Sequence, residues 1–213
     1  MAIINWRFAV GSILAVILIG ASVSGSIMSR VEQPSYTVVD TWDDIELRDY
    51  PPLIVAEAEV AGERKLAINT GFRLIADYIF GNNSPRQKIA MTAPVTQQAG
   101  EKIAMTAPVS QQASGSIWRI RFIMPSNYTL ETLPTPNNPS VKLIEVPAER
   151  IAAIRFSGLA GEDSIARHRK LLLEHLARRG LTVHGEPTLA FYNPPWTLPF
   201  LRRNEILVKV SAQ

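Results

Sequence analysis

Two stretches of this chain follow the same order of signals, and that repetition restricts the fold more than any other feature. In the first, TVVDTWDDIELRDY (37–50) and LIVAEAEV (53–60) read as strands on either side of a Pro51-Pro52 break. A short loop with Gly62 follows, and then Leu66, Phe72, Ile75 and Ile79 recur near helical spacing from about Glu63 to Phe80. Gly81 stands where a glycine ends a helix. In the second, VKLIEV (141–146) and RIAAIRFSG (150–158) flank Pro147, and Ile165, Leu172 and Leu176 mark a helix from about Asp163 to Arg179. Asp163 or Ser164 can cap its start, Arg178 and Arg179 suit its negative end, and Gly180 lies just past it.

Further strand patterns follow each helix: SIWRIRFIM (116–124) in the first half, TLAFY (188–192) and EILVKV (205–210) in the second. The proline-rich stretch 124–140 connects the halves. The expectation is an α+β fold in which a β-β-α-β-β unit occurs twice, over about 36–124 and 141–210. Short meandering strands favour antiparallel pairing, giving a sheet or distorted, partly closed barrel flanked by two helices. A shorter repeat lies inside the first half: KIAMTAPVTQQA (88–99) returns as KIAMTAPVSQQA (102–113), with 11 of 12 positions identical. It reads as two adjacent short strands, each ended by its Ala-Pro and joined by a Gln/Gly-rich turn.

Residues 1–29 are a separate object. From Phe8 to Met28 there are 21 residues without a charge, about 31 Å as a helix and enough to cross a bilayer's hydrocarbon core. This is either a single-pass anchor or a signal peptide cut after Gly25. Arg7 and the terminal amine precede it, which orients the bulk of the chain to the extracytoplasmic side, membrane-anchored, or secreted or periplasmic after cleavage. Residues 30–213 then form the globular domain, with 21 basic and 19 acidic groups. So small an excess gives no electrostatic footprint for nucleic acid.

Chemistry-bearing motifs are sparse. With no cysteine, thiolate metal sites and thiol nucleophiles are excluded. Nucleophile elbow, zinc-protease and phosphate-loop motifs are missing, so the expectation is a protein that is not an enzyme. Glu57 and Glu59 share one face of a strand, either as an acid/base pair or as a solvated face. The histidines are His168, His175 and His184. His168 and His175 lie about 10.5 Å apart along the second helix, too far to share one metal ion, though either alone could ligate haem iron. The richest segment is FYNPPWTLPFLRRNEI (191–206). Pro187, Pro194, Pro195 and Pro199 argue against a central strand here, yet Phe191, Tyr192, Trp196, Leu198, Phe200 and Leu201 are too apolar for an ordinary loop. It is either a core lid or a binding surface, and Arg202 and Arg203 at its end suit the carboxylates of a flat apolar ligand.

Four segments in order, IELRDYPPLIVAEAEV, the doubled KIAMTAPV, WRIRFIMPSNYTLETLP and YNPPWTLPFLRRNEI, resemble the SOUL haem-binding protein family across residues 34–210. The resemblance implies a duplicated antiparallel fold with two flanking helices, similar in turn to bacterial drug-sensing domains. It also implies non-covalent binding of haem or another tetrapyrrole in an apolar cleft between residues 64–79 and 192–203. Phe72, Tyr192, Trp196, Leu198 and Phe200 would pack on the macrocycle, and Arg202 or Arg203 would pair with its propionates. Some members of that family ligate iron through a histidine in the early strands. Residues 36–60 hold none here, which favours binding without an axial ligand. The other reading is a binding module for amphipathic cations, with Glu57 or Glu59 as counter-charge.

Overall fold

The computed structural model of the protein describes residues 31–84 and 101–212. The apolar helix expected over 8–28 and the first KIAMTAPV copy lie outside the described residues. In chain order the elements are β1 (Thr37–Trp42), β2 (Ile45–Tyr50), β3 (Leu53–Ala61), α1 (Arg64–Ile79), β4 (Asn83–Ser84), β5 (Val109–Ser114) and β6 (Ile117–Ile123). Then come β7 (Thr135–Pro136), β8 (Val141–Val146), β9 (Glu149–Phe156), α2 (Glu162–Arg178), β10 (Leu181–Phe191), a 3-10 turn (Pro199–Leu201) and β11 (Asn204–Ala212). Among the described residues no helix is long and apolar enough to cross a membrane.

The expected α+β fold with one large antiparallel sheet and two helices is present. Its strand order is β1-β2-β9-β11-β10-β5-β6-β3-β8, every pairing antiparallel. β1 and β8 are edges, so the sheet stays open and no closed barrel forms. Read from β2 to β8 the order is a palindrome of equivalents. β2 answers to β8, β9 to β3, β11 to β6, and β10 to β5, with the β10–β5 pair at the centre. The leading strand of each half therefore pairs with the other half: β2 with β9, and β8 with β3. The two units are interlocked.

Local chemistry sets the elements and corrects several expectations. TVVDTWDDIELRDY is a hairpin, not one strand, because Asp43 takes a left-handed conformation (φ 51°) that aspartate tolerates better than most residues. Glu63 caps α1 by accepting hydrogen bonds from the Lys65 and Leu66 amides. α2 is capped by Gly161 without any side-chain bond, so Asp163 and Ser164 are helical residues, and Glu162 and Asp163 act through the positive helix end instead. Gly81 and Gly180 end the helices with φ 116° and 67°. In the second KIAMTAPV copy, β5 starts after Ala107-Pro108 instead of ending there. Pro187 lies within β10, an interior strand, at the register shift between His184 and Thr188 where no ladder bond is asked of it. The 124–140 connector is more than a tether. Its Leu133 is fully buried, and Tyr78 Oη of α1 donates to the Pro134 carbonyl (2.9 Å).

Both helices cover one face of the sheet. α2 sets Leu172 and Leu176 against Ile45, Leu47, Ile154, Ile206 and Val208. α1 sets Ile75, Tyr78 and Ile79 against Ala56, Ala58, Ile120 and Phe122. Each fully buried leucine or isoleucine contributes about 1.5–3 kcal/mol. α1 lies so close to β6 that a Cβ on Gly71 would come 2.6 Å from Ile120 Cδ1 and 2.8 Å from Cγ1. Gly71→Ala should therefore lower stability by about 1–3 kcal/mol in urea unfolding despite alanine's better helix propensity, and Ile120→Val in the same chain should recover part of the loss.

Candidate functional site

Where the two helices part, they leave a cleft of about 530 Å³ over the centre of the sheet. Its floor is Leu189, Ile206, Gln111, Ala113 and Trp118 from four adjacent strands. Ile165, Ala166 and Leu173 of α2 form one wall, and Arg64 of α1 stands opposite. Ile68 and Phe72 follow Arg64 at helical spacing, and Phe72 packs on Phe122 with ring centroids 5.2 Å apart. One transverse row of the sheet, Phe156–Asn204–Phe191–Val109–Phe122, continues this apolar floor toward the end where the 192–203 loop emerges.

The rim of the cleft is charged. Arg64, Arg169 and Lys170 face Glu162, Glu174 and Glu186 around the opening. Arg169 pairs with Glu186 (3.2 Å), and Lys170 is 3.8 Å from Glu174. Arg64 lies over the Trp118 ring, 5.7 Å from its centroid, and donates to Gln111 Oε1 at 3.4 Å. The two ion pairs are exposed and weak, and the Arg64 bond is long, so the three cations remain available to a ligand carboxylate. The charged rim was not singled out from sequence. The only hint was Arg64 standing four residues before Ile68 and eight before Phe72, one stripe of a helix.

None of the three histidines lines this cleft. His168 stacks on Phe156 (4.2 Å, 15°), and its Nδ1 lies 2.7 Å from the Ser164 carbonyl, a bond that needs the proton on Nδ1. His175 packs against Trp42 at 5.0 Å, and its Nε2 is buried without a hydrogen-bond partner. Burial, and then the charges of Arg179 and Arg178, hold its pKa below the ordinary value. Neither histidine lines the cleft, and the described residues contain no cluster of His, Asp or Glu able to hold a metal.

The loop residues are distributed over two surroundings. Tyr192 points to the opposite face of the sheet, buried, and its Oη donates to Glu205 (2.6 Å). Arg203 donates to the same carboxylate (2.9 and 2.7 Å), lies 3.9 Å from the Tyr192 ring centroid, and donates to Gln33 (3.1 Å). Arg202 donates to the Thr197 and Pro195 carbonyls and so ties the loop to itself. Leu198 is half-buried ahead of the 3-10 turn, while Trp196 and Phe200 are exposed. The cleft over the sheet takes none of these residues. Glu57 and Glu59 are likewise engaged: Glu57 accepts from Arg121 (2.6 Å), and Glu59 from Arg119 (3.0 Å), both across the β3–β6 pair.

Glu205 is the centre of a buried cluster beneath the sheet. Arg48 of β2 reaches it bidentately (2.8 and 3.0 Å) and also binds Glu46 (2.7 Å). Tyr36 covers the Arg48 guanidinium at 4.5 Å. Burial would raise the Glu205 carboxyl, but the bonds and charge of Arg48, then Tyr192 and Arg203, outweigh it and hold its pKa below the ordinary 4.5. Burial and the neighbouring Glu205 charge push Tyr192 up.

Comparison with known proteins bears on the family and the fold. The sequence model of the family described as SOUL heme-binding protein matches residues 31–209. No curated protein sequence matches. Among solved structures the chain is similar to the EcmrR C-terminal domain, with TM-score 0.58 and 11% identity over 84% of this chain and 99% of that one. It is also similar to EcmrR in a cryo-EM complex with DNA (TM-score 0.56, 12% identity, 95% of this chain and 69% of that one). A hydrolase from Listeria innocua matches with TM-score 0.53 and 13% identity over 81% of this chain and 94% of that one. At such identities these structures share the fold alone.

Removing the Glu205 charge strands Arg48. Glu205→Ala should lower stability by about 3–5 kcal/mol in denaturant titration. Because the folded carboxyl titrates below 4.5, its contribution is present above that pH and is lost as pH falls through the folded value. Glu205→Gln should accordingly flatten the acid limb of a stability-against-pH curve.

Proposed function

Because the chain belongs to the SOUL haem-binding protein family, we propose that it is a non-enzymatic binding protein for haem or a related tetrapyrrole, held in the cleft between α1 and α2. The carrying observation is the pairing of an apolar floor with a charged rim: Trp118, Leu189, Ile206 and Leu173 below and beside, and above them Arg64, Arg169 and Lys170, set among Glu162, Glu174 and Glu186, whose weak pairing leaves the cations open to exchange for a ligand carboxylate. Its volume of about 530 Å³ falls within the roughly 300–1,000 Å³ of small-molecule sites. The flat ring would lie on the floor and exclude water from it, and its propionates would meet Arg64 and Lys170.

The residues present fit the macrocycle and its carboxylates. They offer the iron no imidazole, thioether or phenol, so binding rests on apolar contact and ion pairs, without an axial ligand from this cleft. When bound, haem would supply its own iron chemistry. The chain's part is to hold the ring, orient its carboxylates and shield one face. This site differs from the one the family resemblance implies at Trp196, Phe200 and Arg202, which stand outside the cleft. Residues 8–28 would tether the domain to a membrane or direct its export, a reading supported by their uncharged length.

Titration of the full chain with ferric haem should shift the Soret band, and metal-free protoporphyrin should bind about equally because the iron is not ligated. Arg64→Ala with Lys170→Ala should weaken both at least about fivefold, as loss of two charge-assisted contacts predicts. His168→Ala and His175→Ala should leave the haem spectrum unchanged. Lost affinity in Trp196→Ala/Arg202→Ala, with the rim variant unaffected, would move the ring to the loop and sink this placement.

A further inference from the structure

The exposed apolar loop that the cleft does not use stands where the chain enters the described domain. We propose that residues 194–201, with Leu159 beside them, dock the domain onto a lipid bilayer, the same one that residues 8–28 enter. Trp196 is 69% exposed, Phe200 68%, Leu159 64% and Leu201 47%. They form one patch, since the Gly158 amide donates to the Pro199 carbonyl (2.9 Å).

The patch is rigid, not a loose strand of chain. Pro194, Pro195 and Pro199 fix its backbone, Arg202 holds two of its carbonyls, and Arg203 anchors its end to buried Glu205. Prolines carry no amide hydrogen, and the carbonyls that Arg202 binds are already satisfied. The loop therefore brings few unpaired backbone groups to lipid, where each would be unfavourable. Tryptophan suits the boundary between headgroups and hydrocarbon. No acidic residue occurs from Pro187 to Asn204 or from Arg150 to Gly161, whereas Arg202 and Arg203 lie in the first of these stretches. That balance favours an anionic surface.

Chain geometry selects the occupant. Val31 packs against the cluster of Ala107, Ala190 and Tyr192, and Gln33 accepts a hydrogen bond from Arg203 (3.1 Å), so the chain enters the domain at the base of this loop. The uncharged run ends at Met28, and the two residues between it and Val31 span at most about 10 Å. A bilayer reached by that run lies within reach of Trp196 and Phe200 by chain length alone.

The absence of cysteine makes the test direct. Single nitroxide labels at Phe200→Cys, Leu159→Cys and, as an aqueous control, Leu66→Cys would be placed in the full chain. Each protein is reconstituted in phosphatidylcholine/phosphatidylglycerol vesicles. The labels at 200 and 159 should be relaxed by oxygen several-fold more than by a water-soluble nickel chelate, and the label at 66 the reverse. If the labels at 200 and 159 are as accessible to nickel as the one at 66, the loop stands in water and the proposal fails. If they are shielded from both reagents, protein covers the patch, whether residues 8–28 folded back or a second copy, and the proposal fails equally. Because positions 200 and 159 lie on different segments, a folding defect in one variant leaves the other to decide.

Discussion

Glu205 lies on β11 with almost no solvent exposure, and a charge so placed must find its compensation inside the protein. The answer comes from three directions: Arg48 from β2, Tyr192 from the end of β10, and Arg203 from the adjoining loop. β9 lies between β2 and β11, and its fully buried Ala153 leaves the space that the Arg48 arm crosses. A larger side chain there would part the pair. Such clusters add little net stability compared with a well-packed apolar substitute. What this one fixes is register, since a one-residue slip of β11 would turn Glu205 to the α2 side and leave two arginines beneath the sheet unanswered. The same carboxylate holds the apolar loop and, through Arg203 and Gln33, the chain's entry into the domain.

The two faces of the sheet thus have different tasks. The helix-bearing face carries the hydrophobic cores and the open cleft, with charges confined to its rim. The other face carries the buried ion cluster and the cross-strand pairs of Glu57 and Glu59 with β6 arginines. Every arginine of the loop and of the β3–β6 pair is already committed to a protein partner. Those of the cleft rim have weaker partners, a long bond from Arg64 to Gln111 and an exposed pair of Arg169 with Glu186.

Much of this was legible in the chain. Helical periodicity, Glu63 and the two terminal glycines marked α1 and α2 to within a residue or so. Alternation marked β3, β6, β9 and β11. Two kinds of feature were not legible. The first concerns single residues that local rules misjudge: Asp43 turning a hairpin inside what read as one strand, and Pro187 accepted by an interior strand because a bulge removes the need for its amide. The second concerns direction and partnership. Spacing placed His168 and His175 on one side of α2, but only the structure shows them packed on Phe156 and Trp42 and outside the cleft lining. Likewise, nothing in RRNE reveals that Glu205 is buried and that Arg203 shares it with Arg48 of β2, 157 positions away.

The exchange of leading strands between the halves has a consequence for ancestry. A pair of identical β-β-α-β-β chains, each lending its first strand to the other, would form a closed twofold dimer with the two exchanged strands at its margins. Joining the two by a linker such as residues 124–140 yields the palindromic sheet observed here, with β1 added at one margin. In such an ancestor the cleft would lie across the twofold axis, between two copies of one helix, and its two walls would have to be alike. Fusion released that constraint. The walls can then differ, as they do here with Arg64 on one and Arg169 and Lys170 on the other, so that the two faces of an asymmetric ligand meet different surroundings.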